Sequence, residues 1–328
     1  MINNETIKRN QHYLPKAYLQ FFAHSDKKTK MTYVYFSHSK QIKYVPIDNI
    51  CNQSYLYEEI AIEPETDSHV FMHPNEMENS FIPLEGNYAT IIRTLLQNLK
   101  SYGEPRLSAK DCDALKQFIA SIIARNPLFV HLSNYIARTM YDKNATYFQQ
   151  LKSKFSDISD GIILSMAATE ILKLFIHPQQ GILNRSMDAT IENSKLCILK
   201  TNSAVFITSD SPVVNIWGEN NGIEFDLLGM PITSNLFLAF VDIDDDIPEL
   251  FYIDEQAVRA INNRQARPIS KLFISNNKNI LSYIDLIPDN DNDESDNDWL
   301  FDMLQIDKET FLKQYSDFKK SKDNHYWE

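Results

Sequence analysis

Cysteine and glycine are both scarce in this 328-residue chain, and each scarcity argues against a class of protein. The three cysteines form no C-x-x-C pair, which argues against a disulfide framework and a cysteine-rich zinc site. The seven glycines form none of the motifs of P-loop, Rossmann or α/β-hydrolase proteins. No run of about 18 apolar residues occurs, and the N-terminus lacks the apolar core of a signal peptide. We therefore expect a cytoplasmic protein without a membrane partner.

What the chain does contain is enough apolar material for a sizeable core and an uneven distribution of charge. Hydrophobic residues make up 43% and aromatic residues 12%, which suits one large domain or two closely packed ones. The net charge is −12, yet residues 1–46 hold eight basic and two acidic side chains, a net of +6. Residues 47–88 hold nine acidic side chains and no basic one. These blocks either pair with each other or leave a basic face for a ligand.

Hydrophobic spacing predicts an α+β fold made of consecutive segments. The segments are a small β-rich N-terminal module (1–84), a central helical region (85–195), a sheet-rich region packed on the rest (196–284), an acidic loop (285–298) and a C-terminal helical tail (299–328). Alternating β-branched and aromatic residues predict one hairpin over 31–36 and 41–46 and a second over 196–199 and 204–208. Ser108 and Asp111 form a capping box ahead of a helical run that Pro127 interrupts.

Two short motifs carry a family resemblance. The first motif comprises His12, Tyr13, Pro15, Tyr18, Leu19 and Phe22, and the second comprises Phe206, Thr208, Ser209, Asp210, Pro212 and Val213. With Glu78, Glu85, Arg125 and residues 262–267 in the same order, the chain resembles the bacterial family catalogued as domain of unknown function 4238. The resemblance covers roughly residues 10–276. It implies a fold group and brings almost no functional knowledge with it.

His12 and Asp210 are the first candidates for a catalytic site. An imidazole titrates near neutral pH and can donate or accept a proton, although a histidine can equally lock a segment by bonding a backbone carbonyl. Asp210 follows an apolar strand, where a carboxylate either serves in catalysis and orients His12 or caps its own turn. Tyr13, next to His12, is a candidate for substrate binding.

Arg125 and His131 form a second candidate pair. Their spacing in R-N-x(4)-H is similar to the signature of the HEPN ribonucleases, in which arginine stabilises the phosphate and histidine serves in acid–base cleavage through the RNA 2′-hydroxyl. Pro127 lies inside the motif, and helix-surface roles for both residues are the alternative. Arg267 is a candidate substrate clamp for phosphate or carboxylate, or else a salt-bridge partner of the acidic stretch.

Glu78 and Glu85 are the candidates for a metal site. Seven residues apart, they share a helix face if the helix begins early, although Pro83 argues against an unbroken helix. With His12 or Asp210 they would form an oxygen-rich site for Mg²⁺ or Mn²⁺. Glu85 is the residue that we predict to bind the metal.

Two functions remain open from the sequence. The first is an enzyme that cleaves phosphodiester bonds in nucleic acid, such as the nuclease or ribonuclease effector of a toxin or phage-defence system. The alternative is a non-catalytic binding or assembly protein, which would form a homo-oligomer or bind a protein partner through its acidic loop and C-terminal helix.

Overall fold

A computed structural model describes most of the chain from the N-terminal segment to residue 283. The described residues are 8, 10–26, 28–57, 61–63, 68–70, 75–143, 146–178, 181–182, 185, 194–203, 205–220, 223–242, 248–266 and 270–283. The predicted acidic loop (285–298), the predicted helical tail (299–328) and Arg267 lie outside them. The binding or assembly function, which depends on that loop and tail, therefore stays a prediction.

The described residues form an α+β fold with N-terminal strands, central helices and later sheets, as the sequence predicts. The helices are α1 (Lys16–Leu19), α2 (Glu76–Tyr102), α3 (Ala109–Ala124), α4 (Pro127–Asp142), α5 (Thr146–Lys154), α6 (Asp160–Ile176), α7 (Glu255–Gln265) and α8 (Lys278–Leu281). The strands are β1 (Asn10–His12), β2 (His24–Asp26), β3 (Thr29–Phe36), β4 (Gln41–Pro46), β5 (Asn52–Ser54), β6 (Ala61–Glu63), β7 (Ser68–Val70), β8 (Lys195–Lys200), β9 (Thr208–Ser209), β10 (Val214–Asn220), β11 (Ile223–Thr233), β12 (Leu236–Asp242), β13 (Leu250–Tyr252) and β14 (Leu272–Ser275). None of the helices that the structure describes combines the length and apolarity needed to cross a bilayer.

Two five-stranded sheets dominate the β structure. One has the order β10-β11-β12-β8-β13, with β13 parallel to β8 and the other neighbours antiparallel. The other has the order β2-β3-β14-β9, with β4 also paired to β3. Because β9 and β14 follow the helices in the chain but pair within the sheet of β3, the two ends of the described chain are joined in one sheet.

Several local predictions are confirmed. The first predicted hairpin is β3–β4, with Tyr33 opposite Tyr44. The capping box at Ser108 starts α3, and Pro127 is the first residue of α4, where its missing N–H leaves no hydrogen bond unmade. The argument from Pro83 is wrong, because the helix that carries Glu78 and Glu85 begins at Glu76 and continues through Pro83.

The second predicted hairpin is wrong. Strand β8 covers the first of its two predicted strands but pairs with β12 and β13. Among the described residues of the second region, Thr208 alone is in a strand, β9, and that strand pairs with β14 in the other sheet. Alternating hydrophobicity predicts that a segment is extended, but it does not specify which strand will be its neighbour.

The largest hydrophobic cluster draws residues from the N-terminal segment, from α2, α3, α4 and α6, and from both large sheets. Tyr88 of α2 stacks on Phe118 of α3, with ring centroids 3.8 Å apart and an angle of 11° between the planes. Tyr18 of α1 has its hydroxyl 2.6 Å from Thr208 Oγ1 and donates to the Pro231 carbonyl at 2.8 Å. The two sequence motifs are therefore in direct contact across this core.

Candidate functional site

The N-terminal motif is held in place by backbone bonds to a neighbouring turn. Strand β1 pairs with β5, which places His12 opposite Asn52. The backbone N–H groups of Tyr13 and Leu14 both donate to the Cys51 carbonyl, at 3.1 and 3.4 Å. Pro15 then caps α1, since its fixed φ of −62° suits the entry to a helix. These bonds fix the backbone position from which the His12 side chain projects.

His12 is buried, with 9% of its surface exposed, and one of its ring nitrogens has no partner within the described part of the chain. A hydrogen bond to the Asp48 backbone raises the pKa of the ring, so the ring donates and the Asp48 carbonyl accepts. Because Nε2 is the atom without a partner, Nδ1 is the donor, and Nε2 carries a free lone pair. Burial, followed by the charges of Lys16 and Arg125, lowers the pKa of His12 to about 4. The imidazole is therefore neutral at physiological pH.

Arg125 ends α3 and is fully buried beside His12. Its Nη2 donates to the His12 carbonyl at 2.7 Å, its Nε donates to Tyr57 Oη at 3.0 Å, and its Nη1 donates to Glu85 Oε1 at 2.8 Å. Its guanidinium also lies over the Phe81 ring, 4.1 Å from the centroid. Burial acts to lower the pKa of Arg125, but Tyr57 and Glu85 outweigh it and the net pKa is raised. The charge is thus retained inside the core.

Glu78 and Glu85 lie on α2, two turns apart, and both interact electrostatically with Arg125. The Glu85 side chain is 26% exposed and forms the ion pair with Arg125. Glu78 Oε2 is buried, and none of the described residues forms a hydrogen bond with it. Burial raises the pKa of Glu78, while the nearby positive charge of Arg125 opposes that rise. The early helix start thus gives the two carboxylates the shared face considered in the sequence analysis.

Two lysines lie at the outer side of this group. Lys16 Nζ is 3.0 Å from Asp48 Oδ1, and both side chains are more than half exposed. Lys8 donates from its backbone to Asn75 Oδ1 at 2.7 Å and from Nζ to Asn79 Oδ1 at 3.0 Å. Both lysines act to lower the pKa of Glu78, so their charges reach the buried carboxylate.

Asp210 makes backbone bonds at the end of β9. Its carboxylate accepts from the Lys271 N–H at 2.9 Å, and its own N–H donates to the Leu272 carbonyl at 3.1 Å. Burial raises the pKa of Asp210 to about 6, against the opposing effect of these backbone bonds. Its contact partner is therefore the Lys271 backbone, while the His12 ring is bonded to Asp48.

Cys51 is affected by both Tyr13 and Asp210. Its side chain is hydrogen-bonded to Tyr13, and its pKa is raised well above the usual value, first by burial and then by the charge of Asp210. Cys51 also adopts a left-handed backbone conformation, with φ of 54°. Tyr13, the candidate for substrate binding, is itself buried at 8% exposure.

Two buried amides of α7 hold the downstream motif. Asn262 accepts from the Ile207 N–H at 3.0 Å and donates to the Val205 carbonyl at 2.9 Å. Gln265 Oε1 accepts from the Ser209 hydroxyl at 3.0 Å. Both amides form hydrogen bonds with backbone or hydroxyl groups in or next to the downstream motif. Within residues 262–267, Asn262 and Gln265 therefore have a structural role.

The remaining sequence candidates are arranged differently. Arg125 ends α3 whereas His131 is a half-buried residue of α4, so two helices carry this motif. The Arg125 guanidinium donates three hydrogen bonds to groups of the protein itself. Arg267 lies outside the described residues. Within those residues, no group of three or more His, Cys, Asp or Glu side chains is arranged to hold a metal, and Glu85 is engaged by Arg125.

The residues that the sequence analysis missed are Asp48 and Tyr57. Asp48 holds the His12 ring through its backbone, and a backbone contact leaves no trace in residue type. Tyr57 donates to the His12 carbonyl at 3.1 Å and accepts from Arg125, and its N–H donates to Gln11 Oε1 at 2.8 Å. The contrast between the basic first block and the acidic second block matches the Lys16–Asp48 ion pair, but it gives no signal for the contacts of the Asp48 backbone or of Tyr57.

The opposite pKa shifts of His12 and Asp210 predict a measurable pH dependence of stability. The pKa of His12 is about 4 in the folded protein against 6.5 in the unfolded chain, so the unfolded chain binds a proton first as the pH falls. His12 therefore lowers the stability of the protein as the pH falls below 6.5. Asp210, with a pKa of about 6 against 3.8, binds its proton more tightly when folded, so it adds stability as pH falls below 6. The two contributions oppose each other in the parent protein.

We therefore expect Asp210→Asn to lose about 1 kcal/mol more stability than the parent between pH 7 and pH 5. Urea unfolding at the two pH values measures this difference. Asp160→Asn, which removes an exposed partner of Lys152, is the control and should follow the parent curve. Equal losses of unfolding free energy in the parent and in Asp210→Asn would show that the pKa of the Asp210 carboxyl is not raised as described.

The fold and this cluster define an α+β protein in which titratable side chains of the N-terminal segment, α2 and α3 meet in a buried group. The chain belongs to the family described as "Protein of unknown function (DUF4238)", whose family model matches residues 10–279. Comparisons with the curated proteins and with the solved structures find no significant match.

Proposed function

We propose that this protein is an enzyme that cleaves phosphodiester bonds in nucleic acid, with His12 as the group that transfers the proton. The observation that supports the proposal is the buried Nε2 atom of His12, which has no hydrogen-bond partner among the residues that the structure describes. Most buried polar side-chain atoms in proteins are satisfied, so an exception in a cluster of perturbed titratable groups is a candidate for chemistry.

The surroundings of His12 keep its ring in the unprotonated form that can accept a proton. Its low pKa keeps the ring neutral, and the bond to the Asp48 carbonyl fixes the tautomer with the lone pair on Nε2. Arg125 and Tyr57 both donate to the His12 carbonyl, which holds the backbone beneath the ring. The base is therefore oriented before any substrate binds.

Positive charge near the site suits a phosphate-containing substrate. Lys8 and Lys16 lie on the outer side of the cluster, within a segment whose first 46 residues carry a net charge of +6. Lysine is a common phosphate ligand that acts as a point charge. In this proposal the two lysines contact the phosphate, whereas Arg125, which the sequence suggested for that role, holds the site together from within.

The proposal extends to the setting in which the enzyme would act, as a cytoplasmic effector of a toxin or phage-defence system. The three cysteines are all free, and two of them are buried, which suits a reducing compartment. The cellular role itself is a hypothesis that follows from the proposed chemistry.

Incubating the purified protein with end-labelled RNA and DNA, with and without EDTA, tests the proposal. The informative variant is His12→Asn, since its amide keeps a donor near the position of Nδ1 while removing the Nε2 lone pair. We expect it to lower the cleavage rate by about 10²- to 10⁴-fold, the usual contribution of a general base. Uncut substrate under every condition would contradict the proposal.

His24→Asn is the matched control. His24 is an exposed histidine of β2 whose Nε2 lies 2.6 Å from the Asn276 carbonyl, a group that is not part of the cluster. The His24→Asn variant should cleave at the parent rate. Thermal unfolding of both variants shows whether each is folded, and a folded His12→Asn variant as active as the parent would remove His12 from the mechanism.

A further inference from the structure

The β3–β4 hairpin and the turn before it carry a basic surface that the proposed chemistry does not use. Its members are all exposed, and we call them the hairpin surface: Lys28, Lys30, Lys40, Lys43 and Tyr44. We propose that the hairpin surface binds single-stranded nucleic acid, with a base stacked on Tyr44 and phosphates next to the lysines. This inference rests on the proposed phosphodiester cleavage, and it adds the form of nucleic acid that the enzyme takes.

The charge of this region is almost entirely positive. Residues 24–46 contain five lysines and one acidic residue, Asp26, in a chain whose net charge is −12. Among the described residues, no carboxylate forms an ion pair with a lysine of the hairpin surface, whereas Lys16 is paired with Asp48. Lysines whose charge is not offset by a nearby carboxylate favour an anionic ligand, and a phosphate backbone offers a row of negative charges.

Tyr44 supplies an aromatic ring on which a base can stack. Its side chain is 40% exposed, and its ring centroid lies 4.7 Å from that of Tyr33, the residue opposite it on β3. Tyr33 in turn packs against the hydrophobic cluster that contains Tyr35 and Phe273. The sheet therefore supports the Tyr44 ring from one side, and a ring that is already held in place loses little further freedom when a base binds.

Strand β4 lies at the edge of its sheet, where side chains of both faces can be reached. Within the described ranges its neighbour is β3, on one side. Successive residues of a strand point to opposite faces, so Lys43 lies on the face opposite to that of Tyr44. Lys43 Nζ is 5.6 Å from the centroid of the Phe36 ring. Nucleic acid that follows this edge can therefore meet a ring and an adjacent positive charge without any opening of the core.

The chain runs directly from the hairpin surface to the group around His12. Asp48 follows β4, pairs with Lys16 at 3.0 Å and bonds the His12 ring through its backbone. The four peptide units from Tyr44 to Asp48 span at most about 14 Å between Cα atoms. A strand of nucleic acid bound at Tyr44 thus has Lys16, one of the two lysines proposed to contact the phosphate, within its reach.

The exposed ring favours a single strand over a duplex. The bases of a duplex are stacked on each other and present no free face to an aromatic side chain, whereas the bases of a single strand do. A duplex would bind through its phosphates alone, and its affinity would not depend on Tyr44. The dependence of binding on this ring therefore distinguishes the two forms of nucleic acid.

Fluorescence anisotropy of labelled oligouridylate with the full-length protein tests the inference. We expect Tyr44→Ala to raise Kd about 5- to 150-fold, the usual effect of losing one stacked base, and Tyr44→Phe to keep Kd within a few-fold of the parent. Lys43→Gln should make the slope of log K against log salt shallower by about 0.7 between about 50 and 200 mM salt. An RNA duplex should bind more weakly, with a Kd that Tyr44→Ala leaves unchanged.

The other large sheet provides matched controls. Tyr252 of β13 is 56% exposed, and Lys200 Nζ lies 5.3 Å from the centroid of its ring. Tyr252→Ala and Lys200→Gln remove an exposed ring and a neighbouring lysine, as Tyr44→Ala and Lys43→Gln do, but far from the hairpin in the topology of the sheets. Both controls should bind oligouridylate as the parent does. Thermal unfolding of every variant shows that a change in Kd comes from folded protein.

Three results would overturn the inference. They are a parent protein that does not bind oligouridylate, hairpin variants that bind it as tightly as the controls, and equal effects of Tyr44→Ala on single strand and duplex. Sedimentation velocity tests a different occupant, since a parent dimer that Tyr44→Ala dissociates would assign the hairpin surface to a second copy of the chain.

The proposed function has a separate readout, because gel analysis of the same samples shows whether the oligouridylate is cut. Parent protein that binds the single strand but leaves RNA and DNA uncut contradicts phosphodiester cleavage and leaves the binding surface in place. Cleavage whose KM neither Tyr44→Ala nor Lys43→Gln alters leaves the proposed function intact and overturns only the assignment of the hairpin surface.

Discussion

Replacing Arg125 with methionine is expected to lower the free energy of unfolding by about 3–5 kcal/mol, the range for breaking a buried ion pair by removing one partner. The guanidinium is fully buried and makes hydrogen bonds to Glu85, Tyr57 and the His12 carbonyl. Methionine fills a similar volume over the Phe81 ring but supplies no donor. Urea unfolding followed by far-UV circular dichroism measures the loss.

The Glu85 side chain is 26% exposed, so a second substitution there can show how much of this loss comes from the unpaired Glu85 carboxylate. The double variant Arg125→Met with Glu85→Gln should recover part of the stability, because it removes the carboxylate that Arg125 leaves unpaired. Lys152→Met, which breaks the exposed pair with Asp160, is the control and should cost less than about 1 kcal/mol. A loss at Arg125 no larger than the loss at Lys152 would show that the buried network does not stabilise the fold.

Substituting Gly229 with alanine is expected to destabilise the fold by about 3 kcal/mol, the upper end of the usual range for overpacking. Gly229 lies in β11, opposite Val214 of β10 and Ala239 of β12. A Cβ there would overlap the Leu238 carbonyl oxygen and lie 2.5 Å from Phe237 Cε1. Since one of these atoms is backbone in a paired strand, a side-chain rotation cannot relieve the overlap.

Gly86→Ala provides the matched control with the opposite sign. Gly86 is exposed in α2, and an added Cβ would meet no atom within 4 Å. Alanine favours a helix interior over glycine by about 0.5–1 kcal/mol, so this variant should be more stable than the parent. Thermal unfolding of both variants measures the two shifts. An unchanged or raised midpoint for Gly229→Ala would show that β11 and β12 can separate locally at little cost.

Much of the local structure follows from patterns that span only a few residues. The hairpin β3–β4 was predictable because residues rich in β-branched and aromatic side chains flank a short polar turn. The start of α3 was predictable because Ser108 and Asp111 have the spacing of a capping box. The β8–β9 hairpin was wrongly predicted because each segment pairs with a strand from another part of the chain. Local pattern specifies extended backbone, and competition among strands over the whole chain decides the pairing.

The candidate site shows the same division between local and tertiary information. Residue type pointed to both His12 and Arg125. The fold brings the two together, because Arg125 donates a hydrogen bond to the His12 carbonyl. The partners of His12 and Asp210 were not predictable, since both bonds use backbone groups, of Asp48 and of Lys271. Every residue carries these backbone groups, so no residue type announces them.

By itself the sequence determined that this is an α+β chain, that its two motifs mark one family, and which local segments are helical or extended. The tertiary structure alone decided which polar groups lost their contact with water and which found partners there. It left His12 Nε2 and Glu78 Oε2 buried with no partner among the described residues, while it gave the Arg125 guanidinium three hydrogen-bond acceptors. The reason is physical: desolvation and hydrogen bonding depend on distances between groups that are remote along the chain, and only folding sets those distances.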